Sequence, residues 1–175
     1  MTTVLSAAEF WQLFEEFEHT AFRLEVRDRY ADDEEAEPLR RFLAGESADD
    51  AWFMDFYRAV EEWTAAGKVI QRVRVVTEPH SDYTRFGLDL ARLNVAAGED
   101  IRYLPRPMAR ELGLPEHDYW LFDSRQLVIL RFDGSDRLLG AEPVAEPADI
   151  IRHGYWRDAA LHHAQRHHAY RQGLK

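Results

Sequence analysis

The chain predicts an α+β fold, a single mixed sheet covered by helices, on three observations. Blocks with apolar residues at helical spacing alternate with short strand-like runs through its middle. Three strand-like runs then follow one another in the later part. No repeat, low-complexity tract or Pro/Gly/Ser-rich linker divides the 175 residues, so 1–175 reads as one domain. With 46% hydrophobic and 13% aromatic residues, a chain of this length can bury a substantial core.

Ser6-Ala7-Ala8-Glu9 is a capping-box pattern, and Phe10, Leu13, Phe14, Phe17 and Ala21 continue it at helical spacing. From Thr20 the period becomes two. Phe22, Leu24 and Val26 alternate with Arg23, Glu25 and Arg27, the pattern of a strand with one covered face. The acidic run DDEEAE, 32–37, has no apolar partner to bury and reads as a solvated loop, followed by a short helix in PLRRFLAG that Gly45 ends. SADDAWFMDFYRAVEEWTAAGK is a long helix with an apolar stripe of Trp52, Phe53, Phe56, Val60 and Trp63, and Gly67 stands where a C-terminal cap belongs. Residues 69–76 are a strand. SDYTRFGLDLARLNVAAG is a helix capped by Ser81 and closed by Gly98. A strand at 100–104 and a brief MARELG helix lead to three strands, DYWLFD, QLVILRF and LLGAEPV, the last two joined by the turn Asp133-Gly134-Ser135-Asp136. From 148 onward the chain predicts a mostly helical, His-rich end, packed on the domain or extending from it.

A net charge of −10 with a pI near 5.2 argues against direct nucleic-acid binding, which requires a surplus of Lys and Arg on one face. There is no cysteine, hence no disulfide, thiolate nucleophile or cysteine-ligated zinc. The first residues lack the basic-then-apolar pattern of a leader, and charges interrupt every apolar stretch of membrane-spanning length. The expectation is a soluble cytoplasmic protein with no membrane partner.

The functional question centres on RVRVVTEPHSDYTRF, 72–86. Alternation places Arg72 and Arg74 on the same face of a strand, bracketed by Ile70 and Val76. An enclosed arginine keeps its charge and must find carboxylates, carbonyls or an anion, so the pair implies either a structural ion network or an anion pocket. Internal partners are at hand in Glu25, Glu78, Asp82 and Glu99. Just past the strand, Glu78, His80, Asp82, Tyr83 and Arg85 occupy a strand-to-helix junction, a frequent ligand position. Asn94, Glu99 and Arg102 form a second polar turn, and Asp118 and Asp123 flank an aromatic strand from which they can reach Arg72, Arg74 or Arg102. No phosphate-loop pattern accompanies them. In the tail, His163 and His167 stand one helical turn apart, a spacing able to hold a metal through two imidazoles, but without the zincin glutamate or a third ligand. The simpler reading is a solvent-facing helix end. No feature names a cofactor.

The strings RVRVV-x-EP-x-SDY-x-RF, N-x-x-AGE-x-IR-x-LPR and GLP-x-x-DYWLFD together resemble a large actinobacterial family of unknown function. HTAFRLEVRDRY and FLAGE extend the likeness over the chain up to about residue 150, and the His-rich tail departs from it. The positions that match include His19, Arg23, Glu25, Tyr30, Arg72, Arg74, Glu78, Asp82, Tyr83, Arg85, Asn94, Glu99, Arg102, Asp118, Trp120 and Asp123. The resemblance implies genes that neighbour helix-turn-helix regulators and brings no activity. The element order is also similar, at fold level, to phospholipase-D-like sensor domains, although H-x-K-x-x-x-x-D is absent.

Three functions follow as expectations. The first is a regulatory or ligand-sensing domain that takes a small anionic ligand or a regulator protein at Arg72, Arg74, Glu78, Asp82, Tyr83, Arg85, Asn94, Glu99, Arg102, Asp118 and Asp123. The second is an enzyme in which His80 or His19 transfers a proton, Asp82 or Glu99 orients it, and the arginines hold an anionic substrate. The third is an acidic module that docks a helix-turn-helix regulator.

Overall fold

A computed structural model describes residues 4–47 and 49–174. Seven strands form one mixed sheet: β1 (Thr20–Glu25), β2 (Val69–Val76), β3 (Asp100–Pro105), β4 (Asp118–Phe122), β5 (Gln126–Phe132), β6 (Leu138–Val144) and β7 (Gln165–Arg166), in the order β6-β5-β4-β1-β2-β3-β7. The helices are α1 (Ala7–Glu16), α2 (Asp33–Leu43), α3 (Met54–Ala65), α4 (Asp82–Ala97), α5 (Arg106–Glu111), α6 (Pro147–His163) and α7 (His167–Gly173). The domain is α+β, as the sequence predicts.

The central strands β1, β2 and β3 are parallel, because each return passes through a helix, while the β4-β5-β6 meander adds antiparallel strands beside β1. The period-two pattern sorts side chains onto two faces. Phe22, Leu24, Val73, Val75, Tyr119 and Leu121 pack on one face against Ala109 of α5 and Ala160 of α6. On the other, Ala21, Ile70, Trp120 and Phe122 meet Phe14 of α1, Phe17 just past its end, and Val60 of α3. Val76, Ile101 and Tyr103 meet Leu88 and Ala91 of α4 and Tyr170 of α7. Each fully buried phenylalanine among these contributes about 1.5–3 kcal/mol through the water it sheds. The arginines of β2 lie on this second face, between its two apolar clusters. Both faces of β1 are therefore covered, not one.

Local signals explain the helix ends. Ser6 and Glu9 form the reciprocal capping box of α1, and the Ser81 hydroxyl accepts from the Thr84 N–H at the start of α4. Gly98 closes α4 with φ +107, and a Cβ there would meet Thr64 Oγ1 at 2.8 Å, so position and packing both require glycine. Among the described residues, no helix is long and apolar enough to cross a membrane.

Two segments differ from the sequence expectation. The run DDEEAE is not a loop: Asp32 accepts from the Glu34 N–H as the N-cap of α2, and Asp33, Glu34 and Glu35 occupy its first turn. Acidic side chains there complement the positive end of the helix dipole, which outweighs the lack of an apolar stripe. The tail is not one continuous helix either. At Ala164 the backbone becomes extended, Gln165 and Arg166 pair with Tyr103 and Arg102, and α7 begins anew at His167. Strand pairing and the stacking of Tyr170 on Tyr103, at 4.7 Å between centroids, override helix propensity. The one-turn relation of His163 to His167 is lost. Nor is the tail merely solvent-facing, since His153 and His167 are buried.

Candidate functional site

Register builds the site. In the parallel pairing of β1 with β2, Arg23 stands beside Arg72 and Glu25 beside Arg74, so four charged side chains project from one patch of the sheet. Glu25 lies at its centre. Arg72 Nη1 donates to Glu25 Oε1 at 2.5 Å, Arg74 Nε donates to Oε2 at 2.9 Å, and Arg23 Nε lies 3.4 Å from Oε1 without hydrogen-bond alignment. Burial opposes the charge of Glu25, yet Arg72, Arg74 and Arg23 hold its carboxyl far below the usual range.

A second layer of acids lies behind the first. Arg72 Nε donates to Glu99 at 2.7 Å, and Glu99 also accepts from Asn94 Nδ2 at 2.7 Å. Arg23 donates to Asp118 at 3.2 Å, and the Tyr30 hydroxyl donates to the same carboxylate at 2.6 Å. Burial nevertheless raises Asp118 above its ordinary value despite Arg23 and Tyr30. The Trp120 ring supports the layer from within the sheet, with the Arg23 and Arg72 guanidinium carbons 5.6 and 5.7 Å from its centroid.

Over this patch lies a cavity of about 440 Å³, at the carboxyl ends of β1 and β2, where ligands of sheet proteins commonly bind. Arg23, Glu25, Arg72 and Arg74 form its floor. Its walls come from Tyr30, from Tyr83 and Phe86 of α4, from Glu35 of α2, and from Phe132 and Leu138 at the β5-β6 hairpin. Glu99 and Asp118 do not line it. Three guanidinium groups thus face the cavity around one carboxylate, leaving the floor locally cationic although the full cluster is balanced. Elsewhere on the wall, Arg27 pairs with Asp136 and Arg137 with Asp33.

Glu35 differs from its neighbours. Its Oε2 accepts from the Tyr83 hydroxyl at 2.5 Å, and it makes no ion pair among the described residues. Burial raises its carboxyl above the usual range, and the Tyr83 hydrogen bond offsets only part of that.

A family model described as a domain of unknown function, DUF6879, matches residues 8–172. The chain belongs to that family. Comparison with curated proteins gives no match. Membership fixes no chemistry, so the reading of the site rests on its geometry.

Of the residues singled out from sequence, Arg72, Arg74 and Tyr83 line the cavity, while Asn94, Glu99 and Asp118 stand directly behind its floor. The others lie apart. Asp82 pairs with Arg85 on the exposed first turn of α4. Arg102 points to the opposite face, held by Asp100 and the Leu161 carbonyl. Asp123 accepts from the N–H groups of Glu18, His19 and Thr20, each at 2.8 Å; despite burial these bonds keep it below its ordinary value, as a clamp on the start of β1. His19 is exposed beside Glu18, and His80 Nε2 lies 2.7 Å from the Tyr170 hydroxyl, which donates to Glu78. Neither histidine lines the cavity or bonds to Asp82 or Glu99 among the described residues. His163 and His167 belong to different elements, and His167 Nδ1 lies 3.1 Å from the Tyr103 hydroxyl.

Sequence reasoning missed Glu35, and did not place Glu25, Arg23 or Tyr30 in the site. A signal existed for the two β1 residues: Arg23-x-Glu25 has the same parity as Arg72-x-Arg74, and a parallel pairing superposes them.

Proposed function

We propose that this domain is a ligand-sensing module whose cavity receives the anionic group of a small molecule on the Arg72 and Arg74 floor. One observation carries the reading: three guanidinium groups meet a cavity of about 440 Å³ around a single carboxylate, with their remaining acidic partners behind the floor. Such a surface favours an incoming anion, and the fixed fork of an arginine suits carboxylate or phosphate oxygens. Binding without chemistry is favoured because no histidine reaches the cavity among the described residues, and the two phenols there with a carboxylate beside them, Tyr30 and Tyr83, are pushed upward by burial and held in their unreactive protonated form. The site also suits regulation. Helix α2 buries none of its residues and is tied to the body through Glu35 to Tyr83, Asp33 to Arg137 and Phe42 against Phe86. Filling the cavity would alter these few contacts and change a surface that a regulator protein reads.

Titration calorimetry with inorganic phosphate, sulfate and small carboxylates tests this. Saturable binding of at least one is expected, weakened about tenfold or more in Arg74→Met. No binding by any of them at millimolar concentration sinks the reading.

A further inference from the structure

The cavity has two electrically different ends. At the floor, Arg72 and Arg74 outnumber Glu25. On the α2 side stands Glu35, a half-buried carboxylate whose Oε1 accepts no hydrogen bond and whose only bonded partner among the described residues is the Tyr83 phenol. The two ends are within electrostatic range, since the charges of Arg74 and Glu25 both act on Glu35. A carboxylate enclosed without a cation is an unfavourable arrangement that a ligand cation relieves. We propose that the ligand is a small zwitterion of the amino-acid type, its anionic group on Arg72 and Arg74 and its ammonium group on Glu35. This rests on the ligand-binding reading above and adds the second charge to it.

The surrounding chemistry agrees. Of the other wall carboxylates, Asp28, Asp33 and Asp136 pair with Arg106, Arg137 and Arg27, which leaves Glu35 and the exposed Asp32 without a bonded cation among the described residues, and of these two only Glu35 is half-buried. Asp32, the N-cap of α2, adds negative potential on the same side without a bonded cation. Burial already holds Glu35 toward its neutral form, so an arriving ammonium both gains a partner and restores the charge. In the same cavity, Tyr30 and Phe132 lie with centroids 5.4 Å apart and form an aromatic wall suited to the apolar side chain of such a ligand.

The test compares three probes that differ only in their charged groups: L-phenylalanine, 3-phenylpropionate, which lacks the ammonium, and 2-phenylethylamine, which lacks the carboxylate. L-Glutamate against glutarate repeats the comparison with a polar middle. Calorimetry with the full chain is expected to show at least one amino acid binding about tenfold or more tighter than its deaminated partner. Glu35→Gln, which keeps the shape and the Tyr83 hydrogen bond, should abolish that preference, while the deaminated probe still binds, at least as tightly as to the parent because a nearby negative charge is gone. Tyr83→Phe should keep the preference, and its fold is checked by thermal melting. Equal binding of an amino acid and its deaminated partner, unaltered in Glu35→Gln, overturns the zwitterion while the anion site stands. Failure of every probe, phosphate included, overturns both.

Discussion

Glu25 and Glu35 are the same residue type, both partly or wholly enclosed, both at one cavity, and they are held in opposite ways. Glu25 is gripped by three arginines and driven toward its charged form; Glu35 has a phenol and is driven toward its neutral form. Their origins differ too. Glu25 ends a central strand, where pairing with β2 fixes Arg74 beside it, whereas Glu35 sits on the first turn of a helix that buries none of its residues. The difference separates two uses of buried charge. A carboxylate with both oxygens held by arginines specifies packing, and one left with a weak partner is available to something from outside.

The largest effect expected from this contrast is on folding. Glu25→Gln leaves Arg23, Arg72 and Arg74 crowded together without their shared counterion, and breaking one side of a buried ion cluster costs about 3–5 kcal/mol. Urea unfolding at neutral pH should show that loss with an unchanged slope. A loss below about 1 kcal/mol would mean that the floor is as wet as a surface ion pair, and the contrast with Glu35 would collapse.

Much of this architecture was legible in the sequence because it is periodic. The alternation Ile70, Arg72, Arg74, Val76 placed the arginines on one enclosed face, and the caps at Ser6, Ser81 and Gly98 fixed three helix ends. What escaped is non-local. Which of the four candidate acids face Arg72 depends on strand order and register: the distant Glu25 and Glu99 do, whereas Asp82 and Glu78, nearer in sequence, went to Arg85 and Tyr170. Glu35 escaped for another reason: an acidic run with no apolar stripe looks solvated, and only the cavity beside α2 gives one of its members an interior neighbour. The break at Ala164 is likewise set by Tyr103 across the sheet edge, which no helical periodicity reveals.

A middle-sized effect comes from a third site and must be separated before Glu25 is judged by acid titration. His117 and His153 meet with their Nε2 atoms 2.9 Å apart, and His153 Nδ1 lies 2.7 Å from the Asp149 carbonyl. Burial, then the neighbouring His153 and Arg131, push His117 down to about 4; burial also lowers His153, against Asp149 and with Arg152. Since the unfolded chain binds these protons more readily, the contribution is complete above an unfolded value of about 6.5 and is lost as pH falls toward 4. Glu25, also depressed, retains its contribution until pH drops below the unfolded carboxylate value of about 4.3. The two windows therefore fall in sequence. His117→Gln should flatten the stability slope between about pH 6.5 and 4 by roughly 1–2 kcal/mol, allowing for partial solvent exposure, and leave the steeper loss below it. An unchanged upper slope would remove the histidine contact from the account.

The smallest effect has the opposite sign. Because the folded value of Glu35 is raised, its favourable contribution is present below the unfolded carboxylate value and is lost as pH rises through the folded one, so at neutral pH it carries a net penalty. Glu35→Gln removes the charge and keeps a carbonyl oxygen for the Tyr83 hydroxyl. The variant should be more stable than the parent by about 0.5 kcal/mol at pH 7, a small figure because the site is only half-buried, and equal to it near pH 4. Paired urea titrations at the two values read the difference directly. A destabilised Glu35→Gln would show that this carboxylate already holds a cation of its own, and the two glutamates would then be alike after all.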